Sequence, residues 1–215
     1  MSLARPRSAR TPRTLLHRLG RLPNPLDWPP LDKTGANRFD DPERRFRVLY
    51  AARQRTGCFA ETLALFRPSL ELLAETGDPA DISGAVSAGF LRARGTVAFR
   101  LRPGRWLDVR QVGTLEAIRA SFGVRLREFG LADVDLGGLC GPTRAFTQAV
   151  AGWAYEAGYD GIVYASRLGT SFECWALFDA AHVEPVGPIT PLSLDDPDLQ
   201  AVARVFALQL PATLG

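Results

Sequence analysis

The chain has 215 residues, enough for one domain with a sizeable core, and its 46% hydrophobic and 23% charged residues describe a globular protein, not a disordered one. No apolar run of about 18 residues predicts a membrane span, and the N-terminus lacks the apolar stretch of a secretory signal. The net charge is +3, but residues 1–26 hold six arginines and no acid, so the body is mildly acidic, whereas a nucleic-acid footprint spreads over a basic face.

In chain order, residues 1–13 read as flexible, and Leu15, Leu16 and Leu19 predict a short helix ending at Gly20. Pro23, Pro25, Pro29 and Pro30 punctuate a connector that Trp28 anchors to the body. Phe46 to Ala51 reads as a strand. Ala60 to Thr76 reads as a helix kinked or broken at Pro68. Strands follow at Thr96–Arg100 and Arg105–Val109, then helices at Val112–Phe122 and Pro142–Ala157, the latter with Phe146, Val150, Trp153 and Ala154 on its apolar side. Gly161–Ala165 and Phe172–Phe178 form a strand pair, and a last helix runs from Asp196 to Leu208. Strands and helices mix without strict alternation, which predicts an α+β fold. The organisation expected is a basic, Pro-rich extension over 1–30, a catalytic domain over 31–190 and a helical segment over 191–215 packed on it.

Generic motifs exclude more than they suggest. There is no phosphate-binding glycine loop and no dinucleotide-fold fingerprint. Two histidines, His17 and His182, and three cysteines without paired spacing give no zinc site and no Ser-His-acid arrangement. Cys58 lacks a histidine partner and reads as a buried thiol. An odd cysteine count predicts no disulfide framework and a reducing, cytoplasmic setting.

What remains is an ordered set of polar residues on predicted elements: Asn37-Arg38-Phe39-Asp40, then Phe46-Arg47-Val48-Leu49-Tyr50-Ala51, then Glu61 beside a helix, and far downstream Gly158-Tyr159-Asp160-Gly161-Ile162-Val163-Tyr164-Ala165-Ser166. This set resembles the RES domain, the toxin half of RES–Xre toxin–antitoxin pairs, over roughly residues 35–185. The resemblance implies an α+β fold similar to ADP-ribosyltransferase toxins, with small, mostly antiparallel sheets flanked by helices. It also implies an enzyme that consumes NAD as substrate, by hydrolysis, phosphorolysis or protein ADP-ribosylation, with no further cofactor. The family's residues carry over as Arg38, Tyr50 and Glu61 for catalysis, and Arg38, Arg47, Tyr50 and Ser166 for substrate binding. Many members read Gly-Arg-Trp-Asn where this chain has Asn37-Arg38-Phe39-Asp40, an altered flank that Arg47 could compensate. The implied partners are NAD and an Xre-type antitoxin, in a homodimer or a toxin–antitoxin hetero-oligomer.

The chemistry fits those residue types. A guanidinium offers a bidentate fork to a diphosphate. A tyrosine ring attracts a planar, cationic nicotinamide. A carboxylate stabilises the oxocarbenium character that develops as the ribose–nicotinamide bond breaks. Each residue also has an ordinary reading: Arg38 in surface pairs with Asp40, Asp41 or Glu43, Tyr50 as strand core, Glu61 as a first-turn acid favoured by the helix dipole, and Ser166 as a turn residue. A non-enzymatic binding module using the arginine-rich tail is the alternative of a different class.

Overall fold

A strand whose alternate side chains are all apolar must be covered on both faces, and several strands here have that pattern. The computed structural model describes residues 6–68, 74–75, 84–141 and 143–215. Its strands are, in chain order, β1 (Ser8–Ala9), β2 (Leu16–Arg21), β3 (Val48–Ala52), β4 (Gly84–Ala85) and β5 (Arg94–Leu101). They continue with β6 (Trp106–Asp108), β7 (Gly161–Ser166), β8 (Gly169–Phe178), β9 (Val183–Pro191) and β10 (Leu208–Gln209). The α-helices are α1 (Arg55–Leu63), α2 (Ala88–Arg92), α3 (Val112–Phe122), α4 (Leu136–Cys140), α5 (Arg144–Glu156) and α6 (Pro197–Val205). Eight strands form one sheet in the order β1-β6-β7-β8-β3-β2-β5-β9, antiparallel except for β6 beside β7, while β4 and β10 pair separately. The fold is α+β with a mostly antiparallel sheet flanked by helices, and the anticipated small sheets are largely merged into one.

Alternation divides the core. Val48, Ala52, Ile162, Cys174, Ala176 and Phe178 face one side, where Phe59 and Leu63 of α1, Ile118 of α3, Phe146 and Val150 of α5 and Leu199 of α6 cover them. Leu49, Ala51, Val163, Trp175 and Leu177 face the other, covered by Leu26, Trp28 and Ala9 from the N-terminal segment. Each fully buried Phe or Leu contributes about 2 kcal/mol of transfer free energy. Trp28 thus does anchor the connector.

The short helix predicted near Leu16 is instead β2. Leu16 and Leu19 pack in opposite clusters, so their three-residue spacing, which suits a helix turn, here marks a strand buried on both faces. Residues 7–11 are tied down: Arg7 N–H donates to Thr114 Oγ1 at 2.9 Å, and Trp106 Nε1 to Thr11 Oγ1 at 2.9 Å. The helix predicted over 60–76 starts earlier, at Arg55, and yields at Leu63 to a 3₁₀ turn over Ala64–Phe66. Arg67 is extended before Pro68, as a residue preceding proline prefers. Residues 69–73 and 76 of that prediction lie outside the described residues. Val112–Phe122 is a helix as predicted, and so are Arg144–Glu156 and Pro197–Val205 within the predicted spans. β9 was not anticipated: its prolines argue against a strand, but β9 is the sheet's edge, where proline costs no ladder bond. Gly161 is required by close approach, since a Cβ there would sit 2.4 Å from the Ala176 carbonyl oxygen of the neighbouring strand.

Candidate functional site

The loop that presents Arg38 is held by one carboxylate. Asp40, only 2% exposed, accepts the N–H groups of Gly35 and Asn37 at 3.0 Å each and the Asn37 side-chain amide at 2.9 Å. Its other oxygen accepts the Tyr50 hydroxyl at 2.9 Å, and that hydroxyl in turn accepts the Phe39 N–H at 2.9 Å. Burial, reinforced by Asp40, pushes the Tyr50 hydroxyl well above its ordinary range, so it stays protonated as a donor. The hydroxyl is committed to the loop, and Tyr50 is among the residues that line the cleft. Phe39 turns inward and packs on Tyr164 with ring centroids 4.9 Å apart. The altered flank around Arg38 therefore still builds an ordered loop.

Arg38 does not form the surface pairs its neighbours suggest. Asp40 is engaged as described, and Asp41 and Glu43 face Arg45, whose Nε lies 2.9 and 3.4 Å from them. Arg38 Nη1 instead donates to the carbonyls of Leu139 and Gly141, at 2.8 and 2.9 Å, at the C-terminal end of α4, where helix carbonyls lack partners. Its Nε and Nη2 have no acceptor among the described residues.

The sheet opens beside this loop. β2 and β3 share one paired position, His17 opposite Ala52. There Arg18 spans the gap, with Nε donating to Pro25 O at 2.7 Å and Nη1 to Tyr50 O at 2.5 Å. Arg18, Arg38, Tyr50, Glu61, Arg144, Tyr164 and Arg167 line one cleft of about 400 Å³, a size usual for small-ligand sites. Among the described residues, four arginines and one carboxylate line it, which makes it strongly cationic. Arg144 is fixed by donating to the Ala36 carbonyl.

Glu61 is not a first-turn acid. It lies in the last turn of α1, where the helix dipole disfavours a carboxylate. Glu61 is exposed to the cleft, and the Ser166 hydroxyl donates to its Oε1 at 2.5 Å while accepting the Leu168 N–H at 2.9 Å. Ser166 ends β7 at a register shift against β8, which aims its hydroxyl across to α1. It therefore orients Glu61. Tyr164, from the same strand, is 7% exposed; burial chiefly raises its hydroxyl well above the ordinary range, Glu61 adds to this and Arg38 opposes it.

Arg38, Tyr50, Glu61 and Ser166 are thus brought together. Arg47 is not: it sits an odd number of positions from Tyr50, so alternation turns it to the other face, and its Nε pairs with Asp179 at 3.0 Å. Sequence reasoning missed Arg18, Arg144 and Arg167. Arg18 was hidden among the tail arginines, and no sequence signal marks it. Cys58 donates to His17 O at 2.8 Å, and burial pushes its thiol up to about 12, so it is no nucleophile at neutral pH. Among the described residues no group of three His, Cys, Asp or Glu side chains is placed to hold a metal ion, and no helix is long and apolar enough to cross a membrane.

Comparison with known proteins gives two matches. A family model described as the RES domain matches residues 15–195. A chain in the crystal structure of the M. tuberculosis MbcT–MbcA toxin–antitoxin complex superposes with a TM-score of 0.57 at 13% identity, covering 93% of this chain and 92% of that one, a likeness of fold. No curated protein matches significantly.

Proposed function

The chain belongs to the RES domain family, and from that premise we propose that it is a cytoplasmic toxin that consumes NAD by cleaving the nicotinamide–ribose bond and is held in check by an Xre-type antitoxin. The observation that carries the reading is the cleft itself: arginines with no ion pair among the described residues on its walls, one carboxylate held by Ser166, and Tyr50 in the same lining. A diphosphate would take the guanidinium fork of Arg38, which two carbonyls already hold in position. The nicotinamide ring would lie against Tyr50.

As the C1′–N bond breaks, its electron pair goes to the pyridinium nitrogen, so nicotinamide leaves neutral and needs no general acid. Positive charge grows on the ribose, and Glu61 faces it. The acceptor oxygen forms the new bond to C1′ and releases its proton to solvent. Water gives hydrolysis, phosphate gives phosphorolysis, and a protein side chain gives ADP-ribosylation. A toxin–antitoxin assembly is supported by the neighbouring structure's being such a complex.

The test is to incubate the chain with NAD, with and without phosphate, and identify products by mass spectrometry. Nicotinamide release is expected. Expression alone in a bacterium should lower cellular NAD and arrest growth. Unchanged NAD in both settings would remove the reading. Arg38→Lys should weaken NAD binding, because an ammonium cannot hold both carbonyls and still offer a fork; unchanged affinity would take Arg38 out of the diphosphate role.

A further inference from the structure

The N-terminal arginines are laid against the body rather than hanging free of it. β1 pairs with β6, Ser8 opposite Leu107 and Ala9 opposite Trp106. Asp108 N–H donates to Arg7 O at 3.1 Å, and Thr11 Oγ1 accepts the Gly104 N–H at 3.1 Å besides the Trp106 indole. On the tail's side these ties use backbone and Thr11, so the side chains of Arg7, Arg10 and Arg13 stay exposed, with no ion pair among the described residues. Arg10 and Arg13 line a hollow of about 300 Å³ together with Arg53, Arg110, Asp108 and Glu173. A second hollow, with Arg7 in its lining, adjoins the first and shares Ala9 and Asp108 with it. Both acids are already engaged. Asp108 takes Arg110 through both oxygens, and Glu173 takes Arg110 at 2.7 Å and the Trp175 indole at 3.1 Å. Arg53 comes only within 3.9 Å of Glu173. Arg7, Arg10, Arg13 and Arg53 therefore leave a trough of positive charge. It shares no lining residue with the cleft, and Trp175 belongs to the sheet face that α1 does not cover.

We propose that this trough binds the phosphate backbone of a nucleic-acid duplex, without regard to sequence. Guanidinium groups spread along an ordered edge match a partner that presents many separate anionic oxygens. A protein partner needs a different surface, one with an apolar centre that becomes buried. Trp175 is 1% exposed, and Val112 is the one large apolar side chain of the trough that stands out among the described residues. The buried indole also argues for a duplex over a single strand, whose bases need exposed aromatic rings to stack on. The acidic balance of the body does not prevent such binding, because the fold sets the tail's charges beside Arg53 and so makes the basic face that a nucleic-acid footprint requires. The trough is independent of the NAD reading.

The test is fluorescence anisotropy of a labelled DNA duplex of arbitrary sequence, about 20 base pairs long, titrated with the full chain between roughly 50 and 200 mM salt. Wild type is compared with the triple variant Arg7→Gln, Arg10→Gln, Arg13→Gln and with Arg53→Gln, folding being checked by circular dichroism. Wild type should bind, and affinity should fall steeply with salt. The triple variant should bind at least about tenfold more weakly at the lowest salt, with the slope of log K against log salt shallower by about 2 to 3; Arg53→Gln should lose about 1. A duplex RNA of equal length, run in parallel, assigns the source of the backbone by the tighter binding. No binding by wild type at 50 mM salt, or an unchanged slope in the folded triple variant, overturns the proposal. If the triple variant does not fold, Arg53→Gln decides, and an unchanged slope there overturns it. A slope lost in Arg167→Gln but kept in the triple variant would place the polyanion in the cleft, which also overturns it. So would a polyglutamate peptide that binds where the duplexes do not. Duplex binding through these arginines in a chain that never cleaves NAD leaves the trough assigned and removes only the NAD reading.

Discussion

Arginine serves two opposite purposes in this protein, and the difference lies in where the acids are. Three arginines outside the cleft are saturated with carboxylates: Arg55 pairs with Asp196 and Asp198, Arg110 with Asp108 and Glu173, and Arg45 with Asp41 and Glu156. Hydrogen bonds to those acids raise each guanidinium's pKa above its ordinary value. In the cleft, Arg18 and Arg38 are held by carbonyls, which fix geometry without cancelling charge. The first set ties elements together, as Arg55 ties α1 to the start of α6; the second keeps positive charge for a ligand. A chain with one lysine among its 26 basic residues has the planar fork in both places.

The sharpest test removes the one acid among the cleft's described residues. Glu61→Gln should slow NAD cleavage on the order of 10²–10³-fold, as loss of one electrostatic stabiliser of a transition state does. Folding should be unaffected, because Glu61 is exposed and at the unfavourable end of its helix. Binding of ADP-ribose should hold or tighten as the cleft becomes wholly cationic. Full turnover in the folded variant would contradict the assignment.

The saturated set should fail differently. Arg55→Met leaves Asp196, whose side chain is 10% exposed, without its partner, and should cost about 3 kcal/mol of stability in urea unfolding. Arg167→Met, at an exposed cleft arginine with no ion pair among the described residues, should stay within about 0.5 kcal/mol. Equal losses in the two variants would erase the distinction.

Acid should dismantle the saturated set first. Burial raises the carboxyls of Asp41, Asp108 and Asp196, but hydrogen bonds from Arg45, Arg110 and Arg55 outweigh it, so each lies below its ordinary value of 3.8. A depressed folded pKa gives stability that is complete above the unfolded value and is lost as pH falls through the folded one. Unfolding free energy should therefore decline from about pH 4 downward, and a flat profile from pH 5 to 2.5 would refute the role given to these pairs.

The cleft residues Arg38, Tyr50, Glu61 and Ser166 were legible through the ordered set that resembles the RES domain, because each alone has an ordinary reading. The strand pattern only placed Tyr50 and Ser166 on strands. The sheet was harder. β2 passes for a helix because it is buried on both faces, and β9 is hidden by prolines that an edge strand tolerates. The position of Glu61 near the end of α1, not its start, depends on where the chain leaves β3, which no periodicity records. Arg18 was unreadable as a cleft residue because the gap it fills exists only once β2 and β3 pair.

The smallest expected effect tests the boundary between the two sets. Arg47 lies three residues before Tyr50 and has the residue type of a diphosphate ligand, yet its Nε and backbone N–H both meet Asp179, at 3.0 and 3.3 Å. Its side chain is 38% exposed and that of Asp179 20%, so solvent screens the pair. Arg47→Ala should cost less than about 1 kcal/mol. NAD cleavage should be unchanged, because strand alternation keeps the residue off the cleft face. A raised KM for NAD in Arg47→Ala would mean that Asp179 releases the guanidinium when substrate binds, and would move Arg47 from the saturated set into the cleft.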